Sequence, residues 1–242
     1  MAGPAMSLGL ELPKSVVVHG WLLMGHEKLS KSKGITLDPD EMAEKYGIDG
    51  IRYFLTREIS FGQDGSFTDP AFIKRYNADL SNDIGNLASR TLAMITKYRD
   101  GIIPENTASP DFEKAWEDTK KTASELMEQF KFSEYLIKVW EFINKANKHI
   151  EDSQPWTLAK SVSSEDVKKL DAVLYEVAES IRLSAILLIP FMPTSCQRIM
   201  TQLGITTNVN DIRIDADGIW GSFKGGTRIG EREILFPRID DK

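Results

Sequence analysis

The sequence predicts a mainly α-helical protein, an antiparallel helical bundle that follows a short mixed α/β start. Apolar residues recur every three to five positions from Asp69 onward, a spacing that buries one face of each helix. The β-branched run Val16–Val18 precedes this pattern and indicates a short buried strand. After Gly204 the chain is rich in glycine and keeps two strand-like pieces, at 212–214 and 234–236. Helices are therefore expected to fill the middle of the chain.

The start of the chain holds two short predicted helices. Asp38 is placed to cap the first, with Pro39 at its first position, and this helix is expected to end near Gly47. The second is expected to begin after Asp49. Residues 60–67 favour a loop or a short strand, because glycine and aspartate cluster there.

The bundle begins with one long amphipathic helix, predicted from Asp69 to Tyr98 and stopped by the glycine and proline that follow. Trp140 and Cys196 lie in apolar surroundings and are expected in the core. Later helices are predicted over 111–130, 132–150, 164–189 and a final stretch that ends near residue 204. The predicted divisions are a non-native start at 1–9, an α/β part at 10–67, the bundle at 68–204 and an extended tail packing back on the body at 205–242.

Composition excludes several classes of protein. The 242 residues are 41% hydrophobic and 27% charged, which is ordinary for a folded domain with its own core. A single cysteine excludes an internal disulfide framework and a cysteine-built zinc site, and it fits a reducing, cytoplasmic compartment. No run of 18 apolar residues predicts a membrane span. The net charge of −6 argues against a generally basic nucleic-acid binder but leaves room for a local basic face.

A lysine- and serine-rich loop is the sharpest feature of the start. Lys28, Ser30, Lys31, Ser32 and Lys33 alternate charge and hydroxyl groups ahead of a glycine. Ammonium groups, hydroxyls and exposed loop N–H groups together suit a polyphosphate whose charge grows in a transition state. The plain alternative is a solvated basic turn.

A second constellation lies in the bundle. Asn82, Asn86 and Arg90 are four residues apart and line one face of the long helix, where amides and a guanidinium can read the edges of unpaired bases. Pro155 and Trp156 fall at a break between helices, where an indole can stack on a splayed base. The alternatives are a polar helix face and a tryptophan that anchors the core.

These motifs resemble those of methionyl-tRNA synthetases. Lys-Leu-Ser-Lys-Ser at 28–32 is similar to the KMSKS signature of class I aminoacyl-tRNA synthetases, with leucine in place of methionine. The resemblance runs from about residue 10 to about residue 240. Further matching segments are Val18–Leu22, Tyr46–Leu55, Phe61–Phe67, Tyr76–Leu80, Asn86–Arg90 and Leu235–Ile239.

The resemblance implies a Rossmann-type catalytic domain, of which 10–67 would be the end, and an anticodon-binding bundle. It implies ATP-dependent activation of L-methionine, with Mg²⁺, and transfer to tRNA(Met). Lys31 and Lys28 would act catalytically on the ATP phosphates, and Ser30, Ser32 and Lys33 would position the loop. The CAU anticodon would be contacted by Asn82, Asn86, Arg90, Pro155 and Trp156.

The sequence also departs from the full family pattern. No His-x-Gly-His motif precedes the lysine loop, so the chain is expected to be a C-terminal fragment that is inactive alone and binds no metal. Methionine-dependent pyrophosphate exchange by the chain would contradict that expectation. Two alternatives stay open: a helical tRNA-binding or scaffold module without ligase activity, and a different class I aminoacyl-tRNA synthetase.

Overall fold

A computed structural model of the chain describes residues 15–25, 27–28, 38–105 and 109–240, with only the backbone at 27–28. The strands are β1 Leu22–Met24, β2 Glu27–Lys28 and β3 Gly65–Phe67. The helices are α1 Pro39–Tyr46, α2 Ile48–Glu58, α3 Asp69–Arg75, α4 Asn86–Arg99, α5 Pro110–Glu128, α6 Phe132–Ser153, α7 Pro155–Leu158, α8 Ser164–Leu188, α9 Pro193–Gln202 and α10 Ile214–Asp217. A π-helical segment, Tyr76–Gly85, joins α3 to α4, and a 3₁₀ turn spans Val209–Asp211.

The start of the chain forms a small sheet beside two helices. The strand order is β2-β1-β3; β1 runs antiparallel to β2 and parallel to β3. Asp38 caps α1 by accepting a hydrogen bond from the N–H of Asp40, and Pro39 is its first residue, as the sequence predicts. The short strand expected within 60–67 is β3.

The valine run is not a strand. Val16, Val17 and Val18 lie in irregular backbone and are 66%, 43% and 74% exposed. The strand of this region is β1, four residues further on, where the backbone has partners on both sides. The prediction of a buried strand at Val16–Val18 was therefore wrong, because β-branched composition gives no information about which segment finds a partner.

The bundle packs around α6 and α8. These two helices lie against each other, α5 covers α6, and α4 and α9 cover α8. Leu136, Ile143 and Leu174 are fully buried between them. Trp140 and Cys196 are in this core, as predicted, with Trp140 only 5% exposed. The mainly α-helical fold that the apolar spacing predicted is confirmed.

The tail is not built from strands. Ile212 follows a 3₁₀ turn, α10 begins at Ile214, and Ile234–Phe236 has irregular backbone. Side chains of the bundle hold the tail instead: the Trp116 indole donates to the carbonyl of Gly218 at 3.0 Å, and the Tyr175 hydroxyl donates to that of Phe223 at 2.8 Å. The predicted strand pieces were wrong: Arg198 donates to the carbonyls of Ile234 and Leu235, and Arg213 donates to that of Ile212, so side chains satisfy backbone groups that a sheet would otherwise satisfy.

Within the described ranges, no helix is long and apolar enough to cross a membrane. Those ranges also hold no group of three or more His, Cys, Asp or Glu side chains arranged to bind a metal ion.

Candidate nucleic-acid interface

The predicted polar stripe lies on the surface of the bundle. Asn82 belongs to the π-helical segment, Asn86 is the first residue of α4, and Arg90 follows one turn later. Both asparagines are exposed, and the Arg90 side chain is 34% exposed. Leu80 and Ile84 of the same segment are fully buried. The stripe is thus held on a rigid, well-packed frame.

The frame under the stripe is fixed by Asp79. The Tyr53 hydroxyl of α2 donates a 2.5 Å hydrogen bond to this carboxylate, and Arg75 donates to it at 3.4 Å. Burial, and then the negative charge of Asp79, raise the pKa of Tyr53 well above its ordinary value, so the hydroxyl stays protonated and keeps donating. Burial and the same charge also raise the pKa of Asp83.

Arg90 links the stripe to the end of α6. Its Nη2 lies 2.6 Å from Oε1 of Glu151, and both side chains retain solvent access. Glu151 is five residues before Trp156 in the chain. The structure therefore connects the stripe to the helix break where the tryptophan lies.

A tight turn presents Trp156. Gln154 adopts a left-handed backbone (φ 44°, ψ 58°), and its N–H donates to the carbonyl of Ile150 at 3.1 Å, which ends α6. Pro155 then begins α7 and is buried, whereas Trp156 is 37% exposed. The alternative of Trp156 as a core anchor does not fit this exposure, in contrast to Trp140 at 5%.

The tail forms a second wall beside the asparagines. A groove of about 520 Å³ lies between the stripe and an irregular tail segment, 234–238, termed here the tail strap. Its lining residues are Ser81, Asn82, Gly85, Asn86, Ser89 and Ile234, Leu235, Phe236, Pro237, Arg238. Pro237 and Arg238 are exposed, so the groove has one apolar–basic wall and one amide wall.

The lysine loop is a different case. Lys28 lies in β2, of which only the backbone is described, and Ser30, Lys31, Ser32 and Lys33 lie outside the described residues. Their role at ATP stays a prediction from the sequence pattern.

Residues 104–242 match the family described as "Anticodon binding domain of methionyl tRNA ligase", and residues 2–92 match "tRNA synthetases class I (M)". The chain belongs to the methionyl-tRNA synthetase family. The resemblance stated from the motifs is therefore confirmed.

Curated relatives agree with this assignment. A methionine–tRNA ligase of Caldanaerobacter subterraneus is 45% identical over 239 residues, which is 97% of this chain and 37% of that protein. A methionine–tRNA ligase of Lactococcus lactis is 46% identical over 238 residues, 97% of this chain and 35% of that protein. The chain thus spans little more than a third of the length of these relatives.

Solved structures show the same fold. The apo form of Mycobacterium tuberculosis methionyl-tRNA synthetase superposes with a TM-score of 0.83 at 35% identity, covering 98% of this chain and 46% of that one. The same enzyme in complex with methionyl-adenylate superposes with a TM-score of 0.83 at 37% identity, covering 97% of this chain and 46% of that one.

The structure adds residues to the site of this synthetase-family chain that the sequence did not indicate. No sequence feature apart from its charge indicated that Glu151 belongs to the candidate site. Leu235–Arg238 was noted only as part of a segment that matches the family. The signal that could have marked it as a site is a proline beside a basic residue in an irregular tail. Gly85, an isolated glycine inside a helical pattern, was the one clear local signal.

Proposed function

We propose that this chain supplies the CAU anticodon-reading surface of a methionine–tRNA ligase, together with a lysine loop that contacts ATP. The whole protein would use ATP, with Mg²⁺, to activate L-methionine and attach it to tRNA(Met), in the cytoplasm. The observation that carries this proposal is an exposed amide stripe and an exposed tryptophan joined through the Arg90–Glu151 ion pair.

The side chains of the stripe have the chemistry that base reading needs. An asparagine amide offers both donor and acceptor, and a guanidinium offers a planar fork of donors. An indole that is partly exposed can stack on an unpaired base, which is the usual way proteins hold single-stranded RNA loops. Asn82, Asn86 and Arg90 would read base edges, and Trp156, fixed by the ring of Pro155, would stack.

At the lysine loop the proposal rests on residue types and spacing. Lys31, and then Lys28, would stabilise charge on the ATP phosphates during activation, and Ser30, Ser32 and Lys33 would orient the loop. This is catalysis by positioning and electrostatics.

Binding to a CAU anticodon hairpin tests the RNA part of the proposal. Trp156→Ala should weaken binding by about tenfold or more through lost stacking, with little change in thermal unfolding. Phe130→Ala is the matched control, because Phe130 is similarly exposed, at 41%, and lies just before α6 rather than after it. A chain that binds CAU and GAU hairpins equally, or binds CAU equally without Trp156, would contradict the proposal.

A second candidate is a helical scaffold without RNA binding. The observation in its favour is that Arg90 already has a carboxylate partner, Glu151, at 2.6 Å. In that case the role of Arg90 is structural, and the residue acts only through its ion pair with Glu151.

A further inference from the structure

The helix that carries the stripe contains an unusually long π-helical stretch. It covers ten residues, Tyr76–Gly85, whereas π-helix normally occurs as single turns and often at functional sites. At its end the N–H of Asn86 is shared between the carbonyl of Ser81, five residues earlier, and that of Asp83, three residues earlier. The wider turn therefore lies between Asn82 and Asn86.

The wider turn changes which residues share a face. In a regular α-helix, positions four apart rotate by about 40° relative to each other, so a stripe at i, i+4 and i+8 spirals around the helix by about 80°. A π turn holds more residues per turn, so it rotates Asn82 back toward the line of Asn86 and Arg90. The π segment thus straightens the stripe.

At Gly85 this turn leaves no room for a Cβ atom. A Cβ on Gly85 would lie 2.6 Å from the Leu80 carbonyl oxygen, which is closer than real side chains approach, and 3.4 Å from the Phe236 ring. The absence of a side chain therefore allows the close approach of the Leu80 carbonyl, and the Phe236 ring of the tail strap packs beside the same residue.

The tail strap is locked in place from both ends. Asn77 donates to the carbonyl of Ile239 at 2.7 Å and accepts from its N–H at 2.9 Å. Arg198 donates to the carbonyl of Ile234 at 2.9 Å and to Glu233 at 2.7 Å. The Asn77 bonds tie one end of the strap to the π segment, and the Arg198 bonds tie the other end to α9.

From this juxtaposition we propose that Gly85 is a positioning residue for RNA recognition. By allowing the π turn it aligns Asn82 with Asn86 and Arg90 on one wall of an RNA-binding groove whose opposite wall is the tail strap. The inference rests on the proposed function of the stripe and names a residue outside the stripe on which that function depends.

A double-mutant cycle on hairpin binding tests the inference. Gly85→Ala should weaken CAU binding by about tenfold, equivalent to one or two lost hydrogen bonds, and reduce discrimination against a GAU hairpin. Asn82→Ala should weaken binding in the wild-type chain but add nothing in the Gly85→Ala chain, since Asn82 is already misplaced there. Gly218→Ala is the matched control, because its Cβ would lie 2.4 Å from the carbonyl oxygen of Ile214, a similar clash outside the stripe, the π segment and the tail strap, and it should leave binding unchanged.

Additive effects of Gly85→Ala and Asn82→Ala would overturn the inference, because two substitutions add when they act independently, as they would if Gly85→Ala only lowered general stability. If the wild-type chain itself fails to discriminate CAU, the proposed function fails, and a crystal structure of Gly85→Ala still decides the role of Gly85. If the Asn86 N–H in the Gly85→Ala structure donates to the Asn82 carbonyl instead of the Ser81 carbonyl, the inference about Gly85 is supported. If it still donates to the Ser81 carbonyl, that inference is overturned.

Discussion

Arg90 is the residue at which the binding and structural interpretations make opposite predictions. Its partner Glu151 is exposed, and exposed ion pairs contribute about 1 kcal/mol or less. Arg90→Ala should therefore change the free energy of unfolding little but weaken CAU hairpin binding by about tenfold or more. Glu151→Gln, which frees the guanidinium, should leave binding equal or tighter. Urea unfolding and hairpin titration of both variants measure this; a loss of stability in both variants with no effect on hairpin binding would favour the scaffold.

Tyr53 makes stability depend on alkaline pH. Its pKa is raised by burial, so the folded chain keeps the phenol protonated where the unfolded chain ionises. The stabilisation is complete below about pH 10 and is lost above it, at about 1.4 kcal/mol per pH unit for each such tyrosine. Tyr53→Phe should lower stability at neutral pH and make the decline above pH 10 shallower.

Denaturant unfolding between pH 8 and pH 11 checks this profile. A residual slope should remain, because burial also raises the pKa values of Tyr135 and Tyr175. Phe54→Leu, a buried aromatic substitution on the same helix as Tyr53 that removes no titratable group, is the matched control and should keep the wild-type slope. A Tyr53→Phe chain with an unchanged slope would show that this phenol is not protected from ionisation.

At the scale of elements, a buried ion pair on α8 holds the tail. Arg182 pairs with Glu179 at 2.6 Å and also donates to the carbonyls of Asp217 and Ile219 at 2.7 and 3.0 Å. Glu179 in turn accepts from the N–H of Gly221 at 2.9 Å. The pair therefore ties residues 217–221 to the bundle.

Removing one partner of this pair should cost more than removing both. Arg182→Met leaves Glu179 buried and unpaired and should destabilise the chain by about 3–5 kcal/mol. The double variant Arg182→Met, Glu179→Leu should be more stable than Arg182→Met alone. Thermal and urea unfolding of the wild-type chain and the two variants measure this order; a double variant less stable than Arg182→Met would contradict it.

Helices were predictable from the sequence where the apolar residues that pack into the core recur with a single helical period. The apolar positions of α6 fall on one stripe, and the capping of α1 by Asp38 is a local interaction, so both could be inferred from neighbouring residues alone. The π segment was merged into one long predicted helix, because Tyr76, Leu80 and Ile84 are also acceptable as α-helical spacing. Only the isolated Gly85 hinted at a different turn.

The candidate site was predictable to the extent that it is local. Asn82, Asn86 and Arg90 lie on one helix, and Trp156 lies at a visible break, so spacing and residue type were enough to select them. Glu151 and the tail strap meet the stripe from 61 and about 150 residues away in the chain, and no sequence period encodes such contacts. Tertiary packing alone brings them together.

At the scale of the whole molecule, charge sets how RNA binding responds to salt. The net charge is −6, and residues 69–100 carry five basic and four acidic side chains. Few phosphate contacts are therefore available, and affinity should come from stacking and hydrogen bonds. CAU hairpin binding should weaken only modestly between 50 and 200 mM salt, on the order of tenfold or less. A steep decline in a salt titration would instead indicate a phosphate-dominated contact.

In the proposed function and the inference built on it, the stripe, Trp156 and the tail strap form one RNA-reading surface. Titrating the isotope-labelled chain with a CAU hairpin and following its amide, side-chain amide and indole resonances by NMR tests that claim most directly. Saturable shifts should concentrate at Asn82, Asn86, Trp156 and the tail strap, and should be weaker with a GAU hairpin. Shifts confined to other surfaces of the bundle, or identical shifts with both hairpins, would contradict the claim.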